Sequence, residues 1–160
     1  MSKRQLIALL ALFGILVATY LTLYKAGAIA GLSCSVGSCE AVQLSRWATF
    51  LGLPVAAWGI VFYVVLLLLA LVGMQGPLAE SRGVALALVA WTGWGVLFSA
   101  YLTYLELFVI HAICQWCVVS AVLVTIAFVV SVLDVRARGA LSPTGGPSAA
   151  RVGDASRFDG

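Results

Sequence analysis

Four cysteines in two closely spaced pairs are the residues best suited to chemistry in this chain. Cys34 and Cys39 are separated by Ser-Val-Gly-Ser, and Cys114 and Cys117 by Gln-Trp. A disulfide that closes so small a loop constrains little of the unfolded chain, so a C-x-x-C pair favours electron transfer over structural stapling. Thiolates in such pairs attack disulfides and exchange electrons with them. The spacing therefore predicts thiol–disulfide chemistry.

The composition places these cysteines in a membrane protein. Of the 160 residues, 63% are hydrophobic and only 9% are charged, and the mean hydropathy is +1.12. An average soluble domain carries about 25% charged residues, so the composition excludes a soluble globule, and it also excludes a disordered chain. The formal net charge is +3, but the basic residues are scattered singly, and we expect no nucleic-acid binding.

The few charged residues divide the chain into four apolar stretches. A helix needs roughly 20 apolar residues to cross a bilayer. We predict spans near residues 6–24, 54–72, 84–105 and 114–133. The predicted fold is an all-α integral membrane protein, a four-transmembrane-helix bundle within residues 1–135. Residues 136–160 contain too few apolar residues to fold, and we predict a disordered cytoplasmic tail.

Basic residues near the helix ends predict the orientation of the bundle. More of them fall on one side than on the other; the two sets are Lys3, Arg4, Arg82, Arg136 and Arg138, against Lys25 and Arg46. The positive-inside rule places the richer side, with both termini, in the cytoplasm. All four cysteines then lie in or beside the two outer loops, where disulfides persist. A tail without a lysine-based retention signal favours the plasma membrane of a bacterium.

The first apolar stretch has an alternative interpretation as a cleaved signal peptide. Lys3-Arg4 precedes the stretch, and Ala28-Ile29-Ala30 is similar to a cleavage site. The stretch is longer than the usual ~7–15 apolar residues of a signal peptide. We therefore expect a retained helix that tethers the outer loop 25–53.

A short interfacial helix is predicted in that outer loop, just after the first cysteine pair. Residues Glu40 to Phe50 have an apolar side, and Ser38 is in position to cap the helix. We expect this helix to cover the bundle as a lid and to bring Cys39 towards Cys114.

The positions of the sulfur atoms predict an electron relay. The N-terminus of the fourth helix favours a thiolate at Cys114, and Cys117 lies one turn deeper, near the hydrocarbon. In this scheme a reduced soluble protein attacks a Cys34–Cys39 disulfide. Electrons then pass from Cys39 to Cys114, and from Cys117 to an acceptor in the membrane. The chain has no G-x-G-x-x-G nucleotide motif, so a quinone is the expected acceptor.

Five short motifs occur in a fixed order along the chain. They are Cys34-x4-Cys39, Ser45-Arg46-Trp47, Leu51-Gly52-Leu53-Pro54, Gly59-x-x-Phe62-Tyr63 and Cys114-x-x-Cys117. In this order they resemble the vitamin K epoxide reductase family, in its bacterial disulfide-forming branch, over roughly residues 6–133. The order of the cysteine pairs makes the resemblance specific, because similar four-helix DsbB-type oxidases carry the C-x-x-C in their first outer loop.

The resemblance implies a quinone-dependent thiol–disulfide oxidoreductase that supports disulfide bond formation. It implies that Cys34 meets the partner, a separate thioredoxin-like or DsbA-like protein on the outer face. It also implies that Cys114 resolves against Cys39 and that Cys117 faces the quinone, of the ubiquinone, menaquinone or phylloquinone type. Ser45 would support the quinone site.

Aromatic residues near the outer face add to the expected quinone pocket. We predict that Trp58 and Trp116 line it, although interfacial anchoring explains such residues nearly as well. Animal members of the family have an Asn and a Tyr that contact the quinone. Val55 and Ala121 stand at those positions here.

Two other functions remain open from the sequence. Four thiolates, with or without His111, can form a tetrahedral metal site, and two disulfides can instead staple a purely structural bundle. We interpret His111 as a solvated loop residue and Glu106 as an interfacial one. Gly95, Ser99 and Thr103 form a stripe of small residues that suits helix packing.

Overall fold

The computed structural model describes residues 2–76 and 81–140. In chain order the helices are α1 (Lys3–Lys25), α2 (Cys39–Leu44), α3 (Val55–Val72), α4 (Arg82–Leu105) and α5 (Gln115–Ala140), and a π-helical turn, Glu106–Ile110, directly follows α4. Within these described residues, four helices are long and apolar enough to cross a membrane. The prediction of an all-α bundle with four membrane spans is therefore confirmed.

Small residues let the membrane-spanning helices pack closely. α1 packs along α3 and α5, and α4 packs along α5. A Cβ atom added at Gly14 of α1 would lie 2.4 Å from the ring of Tyr63 on α3. On α4, a Cβ atom at Gly95 would lie 2.4 Å from the Phe62 ring. Both glycines thus give room to aromatic rings of α3, as is common between helices in lipid.

The end of the bundle opposite the cysteines is held by buried charges. Arg4 is 4% exposed, and its Nε atom lies 3.3 Å from a carboxylate oxygen of Asp134. The same carboxylate lies 3.0 Å from Nε of Arg138, one helical turn further along α5. Lys3 donates a hydrogen bond to the Leu133 carbonyl. These contacts tie the start of α1 to the end of α5.

The same contacts explain why α5 is longer than the sequence predicts. The helix continues to Ala140, past the predicted end at residue 133. Asp134 is buried in the ion pairs, and Arg138 lies in the last turn, where a cation is favourable. Residues 136–140 are therefore helical and not part of the predicted tail, whose remaining residues, 141–160, lie outside the described part of the chain.

The lid in the outer loop is not the single helix that the sequence predicts. α2 ends at Leu44 because the next residue, Ser45, is extended, with φ −65° and ψ 154°. The Ser45 hydroxyl donates a 2.7 Å hydrogen bond to the Val42 carbonyl, which closes the end of α2. Ser38 precedes the helix, but its side chain makes no capping hydrogen bond.

A 3-10 turn and a hairpin complete the lid. The 3-10 turn is Arg46–Ala48, and the hairpin pairs strand β1 (Thr49–Phe50) with strand β2 (Leu53–Pro54). Leu51 and Gly52 connect the strands with φ values of 53° and 80°, as a tight hairpin turn requires. Leu51 is 77% exposed, so the hairpin presents apolar surface suited to the membrane interface.

Candidate active site

The two cysteine pairs are in different redox states. Cys34 and Cys39 form a disulfide with a Cα–Cα distance of 6.3 Å, whereas Cys114 and Cys117 are free thiols. Cys39 and Cys114 are 1% and 0% exposed. Cys34 and Cys117 are half-buried. Each pair thus contains one fully buried cysteine and one that is partly exposed.

The backbone of the disulfide loop is paired with the segment that leads into the C-x-x-C. Gly37 and Cys114 form an isolated antiparallel bridge, and the Ser38 N–H donates a 3.0 Å hydrogen bond to the Ile113 carbonyl. Gly37 has φ +86°, and a Cβ atom there would lie 2.2 Å from the Ile113 oxygen. Only glycine fits both the dihedral angle and the space. The loop therefore rests directly on Cys114.

The two residues between Cys114 and Cys117 hold the same loop. The Gln115 side-chain oxygen accepts hydrogen bonds from the backbone N–H groups of Ser35 and Val36, at 3.0 and 3.2 Å. The Trp116 indole N–H donates a 3.0 Å hydrogen bond to the Ser33 carbonyl. Gln115 and Trp116 thus hold the disulfide loop against the start of α5.

Trp116 has a different position from the one predicted for it. Its ring packs edge-on against Tyr20, with the ring centres 5.4 Å apart. It is not among the described residues that line the large cavity beside Cys117. The prediction that Trp116 belongs to the quinone pocket is therefore replaced by a role in holding the outer loop. Sequence spacing could not show this, because the contact depends on how the loop folds back.

Cys39 and Cys114 lie in one apolar cluster at the outer end of the bundle. The cluster also contains Val17 and Leu21 of α1 and Val42 of α2. Burial together among these side chains excludes water from the space around both sulfurs. The cluster brings together the two cysteines that the predicted relay connects.

The surroundings of Cys114 lower the pKa of its thiol. The hydrogen bond that it accepts from the Cys117 thiol is the main reason that the pKa of Cys114 is below its ordinary value. Burial opposes this shift, the backbone N–H groups of Cys117 and Trp116 add to it, and the charge of Glu106 opposes it. Backbone N–H groups are free to do so at a helix N-terminus, where α5 begins. These contacts favour the thiolate form of Cys114 when its proton leaves.

Glu106 is a site residue that the sequence interpretation missed. It is 5% exposed, and its carboxylate accepts a 3.1 Å hydrogen bond from the Cys114 N–H. The π-helical turn and His111, which has φ 55°, turn the chain back so that the Ala112 N–H bonds to the Glu106 carbonyl. An acidic residue in an apolar span near the C-x-x-C was the available signal.

Gln43 is a second residue that sequence reasoning did not select. It lies on α2, one turn after Cys39, and is 5% exposed. Its side-chain N–H group lies 3.9 Å from the Cys117 sulfur, within range of a weak hydrogen bond. The spacing of four residues from Cys39 was the signal, because it puts both side chains on one helical face.

A large cavity opens beside Cys117 among α1, the lid, α3 and α4. Its volume is about 430 Å³. Ser45 and Trp58 both line it, as the sequence predicts, and the Trp58 indole donates a 3.2 Å hydrogen bond to the Phe50 carbonyl. Polar side chains in the wall are few; they are Gln43, Ser45, Ser99, Thr103, Glu106 and Ser120. The stripe on α4 that we interpreted as packing alone thus also faces this cavity.

The cavity fits a lipid-soluble quinone. Its volume is within the range of about 300–1,000 Å³ that is usual for small-molecule sites. Aromatic and aliphatic side chains form most of the wall, and one of the few polar ones, Gln43, lies close to the Cys117 sulfur. A flat apolar ring with polar oxygens matches this arrangement. Among residues 2–76 and 81–140, no group of three His, Cys, Asp or Glu side chains is arranged to hold a metal ion.

The fold and the site together define a class of protein. Four membrane spans support a disulfide loop that is docked on a C-x-x-C dithiol at the start of the last helix. This is a multi-pass membrane thiol–disulfide oxidoreductase. The sequence model of the vitamin K epoxide reductase family matches residues 5–132. The chain belongs to that family, as its motifs indicate.

Proposed function

We propose that this protein oxidises a thioredoxin-like partner and passes the electrons through its two cysteine pairs to a membrane quinone, in support of disulfide bond formation. The observation that carries the proposal is the docking of the Cys34–Cys39 loop on Cys114. The docking puts Cys39 and Cys114 in one buried cluster. Two dithiols held in contact can exchange electrons without exposure to other thiols.

The outer step uses the difference in exposure between the two loop sulfurs. Cys34 is half-buried and Cys39 is 1% exposed. A thiolate of the reduced partner attacks Cys34, which breaks the loop disulfide and releases Cys39 as a thiolate. The second thiol of the partner then resolves the mixed disulfide. The partner leaves oxidised, and the loop is left as a dithiol.

The inner step moves the electrons towards the lipid. Cys39 attacks Cys114 of an oxidised Cys114–Cys117 pair and releases Cys117, and Cys34 then resolves the Cys39–Cys114 disulfide. This returns the loop disulfide and leaves both C-x-x-C cysteines reduced, which is the state that the structure shows. A bound quinone supplies an acceptor for two electrons and two protons at Cys117.

Side chains of the lid and of α3 would hold the quinone. Ser45 and Trp58 both line the cavity beside Cys117, and Gln43 offers an N–H donor close to the same sulfur. Val55, at the position of the Asn in animal members, also lines the cavity. In this chain Gln43 and Ser45 would therefore make polar contacts with the quinone.

We also propose the sidedness and location that the charges predict. Both termini would lie in the cytoplasm, and the cysteines would face the outer side of a bacterial plasma membrane. Retention of α1 as a span is supported by its packing, since Gly14 and Ala18 are buried against α3. In this arrangement the partner would lie on the outer side of the plasma membrane and the quinone within the membrane.

The test is a quinone-reduction assay with a reduced thioredoxin-like protein as the electron donor. We expect the wild type to reduce quinone and Cys117→Ala to lose at least about 100-fold in rate, because Cys117 is the one cysteine among the described residues that line the cavity. Thr125→Ala is the matched control, since Thr125 is exposed on the same helix and bonds only within it. Quinone reduction by Cys117→Ala at the wild-type rate would contradict the proposed path.

A further inference from the structure

Glu106 is a buried carboxyl group that the electron path does not use. It lines the cavity beside Cys117, and it also lines a second, more open pocket that includes Gly37 and Ser38 of the outer loop. That outer pocket is formed by Gly37, Ser38, Leu107, His111, Ala112 and Ile113. Glu106 therefore lies between the outer surface and the cavity.

The carboxyl group contacts the backbone of Cys114 and the thiol of Cys117. It accepts the Cys114 N–H at 3.1 Å, and it interacts with the Cys117 thiol. The π-helical turn fixes this position, because the Glu106 carbonyl accepts the N–H groups of His111 and Ala112. A π-helical turn inside a helix is frequent at functional sites.

In the described part of the chain, the carboxyl group of Glu106 forms no ion pair with a cation. Within the described residues, the ion pairs are those of Asp134 with Arg4 and Arg138, at the opposite end of the bundle. A carboxylate in an apolar span is costly and usually has a function. The titratable groups that face Glu106 are Cys114, Cys117 and, across the outer pocket, His111.

The disulfide chemistry needs a proton acceptor at this place. When the Cys114–Cys117 disulfide closes, two S–H bonds break, one S–S bond forms, and two electrons and two protons leave the sulfurs. Cys114 must lose its proton before it can attack. Because Cys114 is fully shielded from solvent, its proton cannot pass directly to water.

We propose that Glu106 accepts the Cys114 proton as the disulfide closes and holds it at the wall of the cavity. The S–H bond of Cys114 breaks and an O–H bond forms on Glu106, while the Cys114 electron pair makes the S–S bond. The Cys117 proton, the proton on Glu106 and both electrons are then consumed by quinone reduction. Glu106 returns to the carboxylate, so atoms and charges balance.

This inference rests on the proposed function, and a pH profile separates it from a merely structural role. The assay is a single turnover in which the reduced full-length protein is mixed with a water-soluble short-chain quinone between about pH 5 and pH 9. We expect the wild-type rate to change little with pH, because the proton moves inside the protein. For Glu106→Gln we expect a rate about 100-fold lower at the acidic end that rises about tenfold per pH unit.

Matched variants complete the assay. Glu106→Asp keeps a carboxyl group at shorter reach, so it should be slower than the wild type but keep the flat profile. Glu40→Gln removes an exposed carboxyl group in the same outer region and should behave as the wild type. A wild-type rate and profile in Glu106→Gln would overturn the proposal, and so would a steep profile in Glu106→Asp.

A second readout needs no quinone, so it is independent of the proposed function. The variant Cys34→Ser/Cys39→Ser/Cys117→Ser leaves Cys114 as the one cysteine, and its alkylation rate is measured against pH. If Cys114 shares a proton with Glu106, the titration has two steps, and the added change Glu106→Gln leaves one step. A single step in both proteins would overturn the proposal. Failure of the wild type to reduce quinone, with the two-step titration present, would count against the quinone alone.

Discussion

Gly37 and Cys114 pair through their backbones, so the loop that the Cys34–Cys39 disulfide closes rests on the first cysteine of the C-x-x-C. The pairing joins two redox centres that are far apart in sequence. It also explains why a Gly/Ser-rich loop is useful here, since a side chain at residue 37 would collide with the Ile113 carbonyl. The electron path therefore depends on backbone contact as much as on the sulfur atoms.

Gly37→Ala should separate the two loops. The new Cβ atom would lie 2.2 Å from the Ile113 oxygen, and φ +86° is unfavourable for alanine by about 1–2 kcal/mol. We expect partner oxidation to slow by about tenfold or more, corresponding to about 1.4 kcal/mol. Gly27→Ala is the control, because Gly27 has φ +76° but no atom within 4 Å of a new Cβ. Equal rates for the two variants would show that the contact with Ile113 is unimportant.

Gln115→Ala should loosen the disulfide loop without removing a sulfur. The substitution removes the acceptor for the Ser35 and Val36 N–H groups, and each hydrogen bond is worth about 1 kcal/mol. Hydrogen–deuterium exchange at residues 35 and 36 should rise about fivefold. Gln115→Glu retains the acceptor and should stay near the wild type, as should Gln75→Ala, which changes an exposed residue elsewhere. Unchanged exchange in Gln115→Ala would contradict the assigned contact.

The reactivity of Cys114 should depend on the hydrogen bond from Cys117. That bond is the main cause of the lowered pKa of Cys114, so the thiolate persists below the ordinary Cys pKa of about 8.5 and is lost as the pH falls through the lowered value. Cys117→Ala removes the donor and should move the alkylation profile of Cys114 to higher pH. Cys117→Ser keeps a donor and should shift the profile less. Peptide mass spectrometry after timed alkylation measures both, and coincident profiles for Ala and Ser would refute this cause.

Asp134→Ala should destabilise the bundle far more than Arg138→Ala. Loss of Asp134 leaves Arg4 with its charge buried, and breaking a buried pair in this way costs about 3–5 kcal/mol. Arg138 has a more exposed side chain, so its removal should cost about 1 kcal/mol or less. Thermal unfolding in one detergent compares the two variants. Equal losses of stability would show that the buried pair contributes no more than the exposed one.

Sequence reasoning recovered the parts of this protein that depend on local composition. Charges in lipid are costly, so charge-free stretches marked the spans, and the motif order identified the family. Local composition could not predict the contacts that form when the outer loop folds back on the bundle. The lid was predicted as one helix because apolar residues recur at helical spacing on both sides of Ser45. In the structure the Ser45 hydroxyl donates a hydrogen bond to the Val42 carbonyl, and α2 ends there. Leu51 and Gly52 then form a hairpin turn.

Two residues of the site, Glu106 and Trp116, differ from their sequence interpretation because their positions depend on tertiary structure. Glu106 was interpreted as interfacial because it lies near the end of an apolar stretch, but the π-helical turn buries it against Cys114. Trp116 was predicted in the quinone pocket as an aromatic residue near the outer face, whereas its indole N–H donates a hydrogen bond to the Ser33 carbonyl of the outer loop. Neither outcome follows from periodicity, since each depends on a segment far away in sequence.

The central claim is that electrons cross from Cys39 to Cys114, and disulfide mapping in Cys34→Ala tests it most directly. Without Cys34 the loop has no thiol that can resolve the Cys39–Cys114 disulfide in the forward direction. Only reversal by Cys117 competes, so this disulfide should accumulate when the protein is purified under oxidising conditions. Thiol trapping followed by peptide mass spectrometry measures it, with Ser33→Ala, a neighbouring exposed residue, as the control. The account predicts a Cys39–Cys114 peptide as the main product in Cys34→Ala and its absence in the control. A Cys114–Cys117 disulfide with free Cys39 as the main product in Cys34→Ala would contradict it.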